Sequence, residues 1–278
     1  FYYNYPRPMA SAVRGYRDKS FVQELRLVSK GGGPLDYVVG AYYQDQKLFS
    51  SQDSYLRGFK RWWDAATGLT AAVAGDQDFF YRRHENFKDR ALFGELTWHV
   101  TDTVDLTGGV RYFWNKARND TSIDIPIFPS LSQPTDATFR TSEDKALFKG
   151  NLSWKFADRG LLYATVSQGY RRGGSNAVPT IGRYAEDPSW QQYKSDTLIN
   201  YEVGVKGGVG GLTYNLDAFY IDWKDIQLNT ATPVWGFYVV QNGGKARSQG
   251  IEAQVEGRSG GFHYALGYTY VDAKLTRD

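Results

Sequence analysis

Alternation of apolar and polar residues with a period of two, sustained along most of the chain, restricts this sequence to an all-β fold. In "VDLTGGVRYFWN" (104–115), Val104, Leu106, Gly108, Val110, Tyr112 and Trp114 share one face of a strand, while Asp105, Thr107, Arg111 and Asn115 take the other. Residues 145–156 repeat the pattern, with Ala146, Phe148, Gly150, Leu152, Trp154 and Phe156 set against Lys145, Lys149, Asn151, Ser153 and Lys155. Tyr201, Val203 and Val205 oppose Asn200, Glu202 and Lys206, and Leu212, Tyr214, Leu216, Ala218 and Tyr220 oppose Thr213, Asn215 and Asp217. Helical periodicity is almost absent. About ten strands are predicted, near 20–29, 36–49, 86–98, 104–116, 144–156, 160–170, 196–207, 211–225, 246–257 and 261–274.

The connections narrow the choice further. Short turns such as "KGGGPL" (30–35), "VTDT" (100–103), "ADR" (157–159), "GVG" (208–210) and "RSG" (258–260) alternate with long segments near 50–85, 117–143, 171–195 and 226–245. In an antiparallel meander this places every short turn at one end of the sheet and every long segment at the other. A soluble sandwich or propeller has no reason for that asymmetry, whereas outer-membrane barrels have short periplasmic turns and long outer loops. On the apolar face, Trp98 and Trp154 lie at the short-turn ends, and Tyr112, Trp114, Tyr220 and Tyr270 toward the long-loop ends. Smaller residues lie between them, as in two aromatic girdles around an apolar band. Gly94, Gly108, Gly150 and Gly204 are assigned to that face, where contact with lipid leaves no cavity beside a glycine and the kinks help a sheet close.

Hydrophobic residues make up 41% of the chain, yet no apolar run is long enough for a membrane helix. The net charge of +3 implies no general attraction to nucleic acid, and the lack of cysteine excludes a disulfide framework or thiolate metal site. The inward polar residues, among them Arg111, Lys149, Lys155, Asn200, Glu202, Lys206, Asn215, Asp217, Glu252 and Glu256, carry mixed signs that suit a wet lumen.

The segments "SFVQELRLVS" (20–29), "ALFGELTWHVTDTVDLTGGVRYFWNK" (91–116), "LLYATVSQGYRRGGSN" (161–176), "YKSDTLINYEVGVKG" (193–207), "LDAFYIDWKDIQL" (216–228) and "NGGKARSQGIEAQVEG" (242–257) resemble, in order, the barrel of a TonB-dependent outer-membrane receptor. The resemblance implies a transmembrane antiparallel β-barrel of about 22 strands, of which residues 1–278 would supply about ten as a partial middle section, with a plug domain and TonB-contacting box ahead of residue 1. It implies active uptake of a scarce ligand, most often a ferric siderophore, across the bacterial outer membrane, driven by the TonB–ExbB–ExbD complex. Haem, cobalamin and oligosaccharides are the family's other ligands. No enzymatic activity and no cofactor of its own are implied. One departure occurs at Arg172, where "GYRRGG" replaces the family's frequent "GYRPGG"; it is expected to add charge to a loop base and leave the fold unaffected.

Ligand-binding candidates follow from position and residue type. Arg61, Trp62 and Trp63 offer charge and stacking surface on the longest loop, with packing of the loop on itself or contact with lipopolysaccharide as the alternative. Tyr81, Arg82, Arg83 and His84 are expected to cluster on its descending side, suited to carboxylates or phosphates. Trp190, Tyr193, Trp235 and Tyr238 are further candidates. "YRRGGSN" and "GGVGG" lack the Lys-Ser/Thr continuation of a phosphate loop and read as strand-end turns. "DQD" (76–78) lacks the spaced oxygen ligands of a calcium loop. Two competing classes are a rim-site hydrolase, for which His84 is the only histidine on the loop side, and a passive porin, which shares the strand pattern.

Overall fold

The computed structural model describes residues 10–131, 133–234, 236 and 238–276. Ten long strands form one antiparallel sheet: β1 (Ala10–Val28), β2 (Leu35–Leu56), β3 (Gln77–His99), β4 (Val104–Asp124), β5 (Thr135–Ala157), β6 (Gly160–Arg171), β9 (Asp196–Val209), β10 (Leu212–Lys224), β13 (Lys245–Ser259) and β14 (Phe262–Thr276), hydrogen-bonded in chain order. The connections hold helix α1 (Phe59–Thr67), a 3-10 turn (Pro188–Gln191) and two small hairpins, β7 (Gly174–Ser175) with β8 (Gln192–Tyr193) and β11 (Gln227–Ala231) with β12 (Tyr238–Asn242). Among the described residues, no helix is long and apolar enough to cross a membrane.

All ten predicted strands occur, but several run further toward the long-connection end. β3 begins at Gln77 rather than near 86, and β4 continues to Asp124 rather than 116. The connections expected near 50–85 and 117–143 therefore shrink to 57–76 and 125–134. In "YRRHEN" and "KARNDTSID" both faces are polar, so hydropathy stops alternating although the hydrogen-bonded ladder continues.

The two faces differ as the pattern predicts. Leu106, Val110, Phe148 and Leu152 remain 43–57% exposed, so no second protein layer covers them. Pairs of rings edge this band: Trp154 with Phe156 at the short-turn end, and Tyr112 with Trp114 and Tyr201 with Tyr220 toward the other. From Val104 to Trp114 a strand tilted by about 40° rises roughly 25 Å, the height of the lipid-facing band of a transmembrane barrel. A Cβ added to Gly108 or Gly150 would meet nothing within 4 Å, consistent with lipid contact there. Gly204 corrects the sequence reading. It pairs with Tyr163 and Asp217 on the polar face, and an added Cβ would lie 2.6 Å from the Tyr163 ring, so its role is to admit an aromatic side chain inside the wall.

The inner face is polar over most of its height. Lys149 pairs with Glu95 (3.0 Å), Lys155 with Asp105 (3.1 Å), and Tyr163 donates to Glu202 (2.8 Å). At the short-turn end His99 bridges Asp105 (2.6 Å) and Asp36 (3.0 Å), clasping three strands. Arg111 lies over the rings of Tyr42 and Phe93. Toward the long-connection end the inner face becomes buried, at Phe87, Ala91, Phe113 and Ala117, because the connections fold over it.

Candidate ligand site

The 57–76 connection is ordered by a small core of its own. Its helix is amphipathic; Phe59 is fully buried and joins Leu56, Val73, Ile125, Ile127 and Phe128 in one apolar cluster. Burial of such a ring stabilises by about 2–3 kcal/mol. The Asp76 carboxylate accepts the backbone N–H groups of Gly58 (2.8 Å) and Lys60 (3.0 Å), fixing the first turn at the end where a helix favours negative charge. Gly58 (φ 81°) and Gly68 (φ 69°) occupy the left-handed conformations that bound the helix. Asp76 is thereby committed to structure, and among the described residues no group of three or more acidic or histidine side chains is placed to hold a metal.

Trp62 and Trp63 are half-buried against this core, with ring centroids 5.5 and 5.9 Å from Phe59. Trp63 also meets Phe128 edge-on at 5.7 Å. Arg61 is exposed and lines a shallow cleft with Lys60, Asp64 and Asp76. The structure therefore separates this triplet into two packing residues and one surface cation.

The expected cluster at 81–84 is split as well. These residues lie within strand β3, so successive side chains leave opposite faces. Arg82 and His84 point outward, Arg82 paired with Asp53 (2.8 Å) and His84 packed at a tilt against Phe49 (4.7 Å between ring centroids). Tyr81 and Arg83 point inward, the Tyr81 hydroxyl 3.2 Å from that of Ser50 and Arg83 ion-paired with Glu85.

Inward Tyr81 and Arg83 face a cavity of about 890 Å³ at the long-connection end of the inner face. Its polar lining includes Arg14 and Tyr16 of β1, Gln52 of β2, Asp78 of β3, Asn176 and Tyr238; Phe79, Ile123, Ile125, Ile127 and Phe128 supply an apolar side. Arg83 Nε and Asp78 Oδ1 are buried and find no hydrogen-bond partner among the described residues. Burial pushes the Asp78 carboxyl above its ordinary pKa, at a position about 40 Å along the strand beyond the aromatic girdle at the long-connection end. Two arginines beside apolar surface suit a compact ligand with apolar bulk and residual negative charge.

The connection after β6 closes this cavity from the inside. Arg172 reaches back over the wall: its guanidinium lies 3.8 Å from the Phe87 ring centroid and donates to Asp89 (2.8 Å). Ser175 accepts from Asn119 (3.0 Å) and the Thr180 N–H donates to Thr135 (3.3 Å), so the segment crosses from β6 over β5 and β4 to β3. The Asn176 amide donates to the Val240 carbonyl (2.8 Å) and accepts its N–H (3.1 Å), tying on the β11–β12 hairpin. The expectation that Arg172 leaves the fold unaffected is thus corrected: it anchors an infolded segment. Trp190 and Tyr193 belong to the frame, Trp190 through its carbonyl to Asn176 (2.9 Å) and Tyr193 by packing on Gly174, while Tyr238 lines the cavity. Trp235 lies outside the described residues. Sequence reasoning missed Arg14, Tyr16, Asp78 and Asn176; extending the odd-numbered inward parity of β3 above residue 86 would have separated Tyr81 and Arg83 from their neighbours.

A family model described as "TonB dependent receptor-like, beta-barrel" matches residues 1–278. The pesticin receptor of Yersinia enterocolitica serotype O:8 is 28% identical over 261 residues, covering 92% of this chain and 34% of that protein, and the pesticin receptor of Yersinia pestis matches to the same extent. This chain thus spans about a third of the length of these curated relatives. Among solved structures, the ferric yersiniabactin uptake receptor FyuA from Yersinia pestis superposes with a TM-score of 0.76 at 23% identity, covering 97% of this chain and 37% of the other. The siderophore receptor PiuA from Acinetobacter baumannii gives 0.67 at 17% identity, covering 95% and 39%. At these identities the likeness to solved structures establishes the fold.

Proposed function

Because the chain belongs to the TonB-dependent receptor-like β-barrel family, we propose that it builds part of the wall and outer mouth of a receptor that imports a ferric siderophore across the bacterial outer membrane. Energy for the import comes from the TonB–ExbB–ExbD complex acting on a plug domain in the full receptor. The long connections face the cell exterior, and lipid and lipopolysaccharide surround the apolar band.

The observation that carries this reading is the cavity of about 890 Å³ at the outer end of the inner face, where Arg14 and Arg83 adjoin an apolar side built by Ile123, Ile125 and Phe128. A ferric chelate presents donor oxygens that leave residual negative charge on a bulky organic frame. The arginines attract and orient the charge, and the apolar side takes the frame out of water. Names of relatives point the same way: one solved neighbour is a ferric yersiniabactin uptake receptor, another a siderophore receptor. Below the cavity, the mixed charges of Glu95, Lys149, Lys155 and Glu202 give the plug a surface to hold by hydrogen bonds and ion pairs.

In cells whose only high-affinity iron importer is the full-length receptor, uptake of radioactive iron is measured from catecholate, phenolate, hydroxamate and carboxylate chelates. One class is taken up, uptake disappears without TonB, and Arg83→Gln lowers it at low chelate concentration by about ten-fold or more. Uptake that survives loss of TonB, or transport of no chelate, refutes the proposal.

A further inference from the structure

Strand β3, which carries much of the candidate ligand site, breaks its own alternation at one residue. Along most of it the odd-numbered Tyr81 and Arg83 face inward and the even-numbered Arg82 and His84 outward. The ladder with β2 runs without a gap from Trp98 to Phe79, which stands opposite Ser54, but the next rung joins Tyr55 to Gln77. Asp78 is therefore an extra residue with no partner across the ladder. Such a bulge sets two residues of one strand against one of the other and re-aims a side chain. Two observations show the outcome here. Gln77, although odd-numbered, lies outward, its amide donating to Asp53 (2.9 Å), the carboxylate that also holds the outward Arg82 (2.8 Å). Asp78 and Phe79, successive in sequence, both line the cavity of about 890 Å³. In an unbroken strand Asp78 would have pointed outward.

The carboxyl so placed has no counter-charge. Asp78 is part exposed, while its Oδ1 is sealed from water and makes no hydrogen bond among the described residues. Neither cavity arginine serves it: Arg83 is ion-paired with Glu85, and Arg14 donates to Gln52 (3.1 Å). Burial raises the pKa of this carboxyl, opposed only by a hydrogen bond from its own backbone N–H. A buried carboxylate is stabilised most by a group that brings a donor and positive charge together. A hydroxyl brings only the donor, and the anionic groups of a chelate belong with the arginines.

We propose that Asp78 is a specificity-determining residue, selecting chelates that carry a protonated amine outside the coordination shell of the iron. The ammonium donates to the Asp78 carboxylate while the anionic groups of the chelate face Arg14 and Arg83. Opposite charges then hold the ligand at two places and set its orientation in the cavity. The proposal rests on the cavity being the site of the imported chelate.

The test titrates the full-length receptor in detergent with ferric catecholate, phenolate, hydroxamate and carboxylate chelates, with affinity read by calorimetry. Each chelate is prepared with a free terminal amine and with that amine acetylated, which removes the positive charge and keeps the metal centre. In the class that the wild type binds, the amine form binds about ten-fold or more tightly than the acetylated form. Asp78→Asn keeps the size of the side chain; it lowers affinity for the amine form to that of the acetylated form. Its affinity for the acetylated form is unchanged, which also shows that the variant is folded. Equal affinity of the wild type for both forms, a preference that persists in Asp78→Asn, or an equal loss of both forms in the variant would each overturn the proposal. Any of these with TonB-dependent uptake intact leaves the transport reading standing, whereas binding of no chelate overturns both.

Discussion

The first five strands of the sheet run 19 to 23 residues and the other five 12 to 15, a difference of about 25 Å in reach beyond the outer girdle. The tall half uses that height as wall. It carries Tyr81, Arg83 and Asp78 above the membrane, and buttresses them from one side with α1 and its apolar cluster. The low half ends near the girdle, and its connections, 172–195 and 225–244, fold inward against the inner face of the tall half. The cavity therefore lies where one half's wall meets the other half's loops. Strand length beyond the membrane decides which loops stand up and which lie down.

Four substitutions would break or sharpen this contrast. The largest effect is expected from Phe59→Ala, which hollows the tall half's outer cluster at a cost of about 3–5 kcal/mol. The 57–76 connection then becomes protease-sensitive on intact cells, while the low half's connections stay protected. Equal cleavage of both sets would mean that the roof is one cooperative unit. Next is Gly204→Ala in the low half, where the new Cβ meets the Tyr163 ring at 2.6 Å and overpacking costs about 1–3 kcal/mol in urea unfolding. Its counterpart Gly108→Ala in the tall half faces open space and is expected to be neutral or slightly stabilising, by up to about 1 kcal/mol. The same loss at both positions would argue against a lipid-facing Gly108. The smallest is Arg172→Ala, which releases the low half's loop from Asp89 and Phe87 for about 1 kcal/mol, since the ion pair is partly exposed. Its readout is the yield of a disulfide between Asn119→Cys and Ser175→Cys, high with Arg172 present and reduced several-fold without it. Restoration by Lys would point to charge alone rather than to the stacked guanidinium.

The wall was legible in the sequence because one of its faces touches hydrocarbon and the other water, so each strand such as 104–115 reports its own orientation. That signal ends where the strand leaves the membrane. Around Tyr81–Glu85 both faces are hydrated or packed by polar loops, and strand and loop look alike in composition. The site was legible only in part for a different reason. Tyr81 and Arg83 stand out by residue type, but Arg14, Asp78 and Asn176 join them around the cavity from β1, β3 and the segment after β6, which no local pattern encodes. Arg172 was visible as a departure from a family motif, yet its role depends on Phe87 and Asp89, more than eighty residues away in sequence.

A wall that spans the outer membrane has the two ends of its sheet on opposite sides of that membrane. The direct measurement is labelling of single cysteines, Arg61→Cys at the long-connection end and Asp102→Cys in a short turn, in an otherwise cysteine-free full-length receptor on intact cells. A membrane-impermeant maleimide is expected to label position 61 at once and position 102 only after the outer membrane is permeabilised. Labelling of both positions on intact cells, or of position 102 alone, would contradict the account.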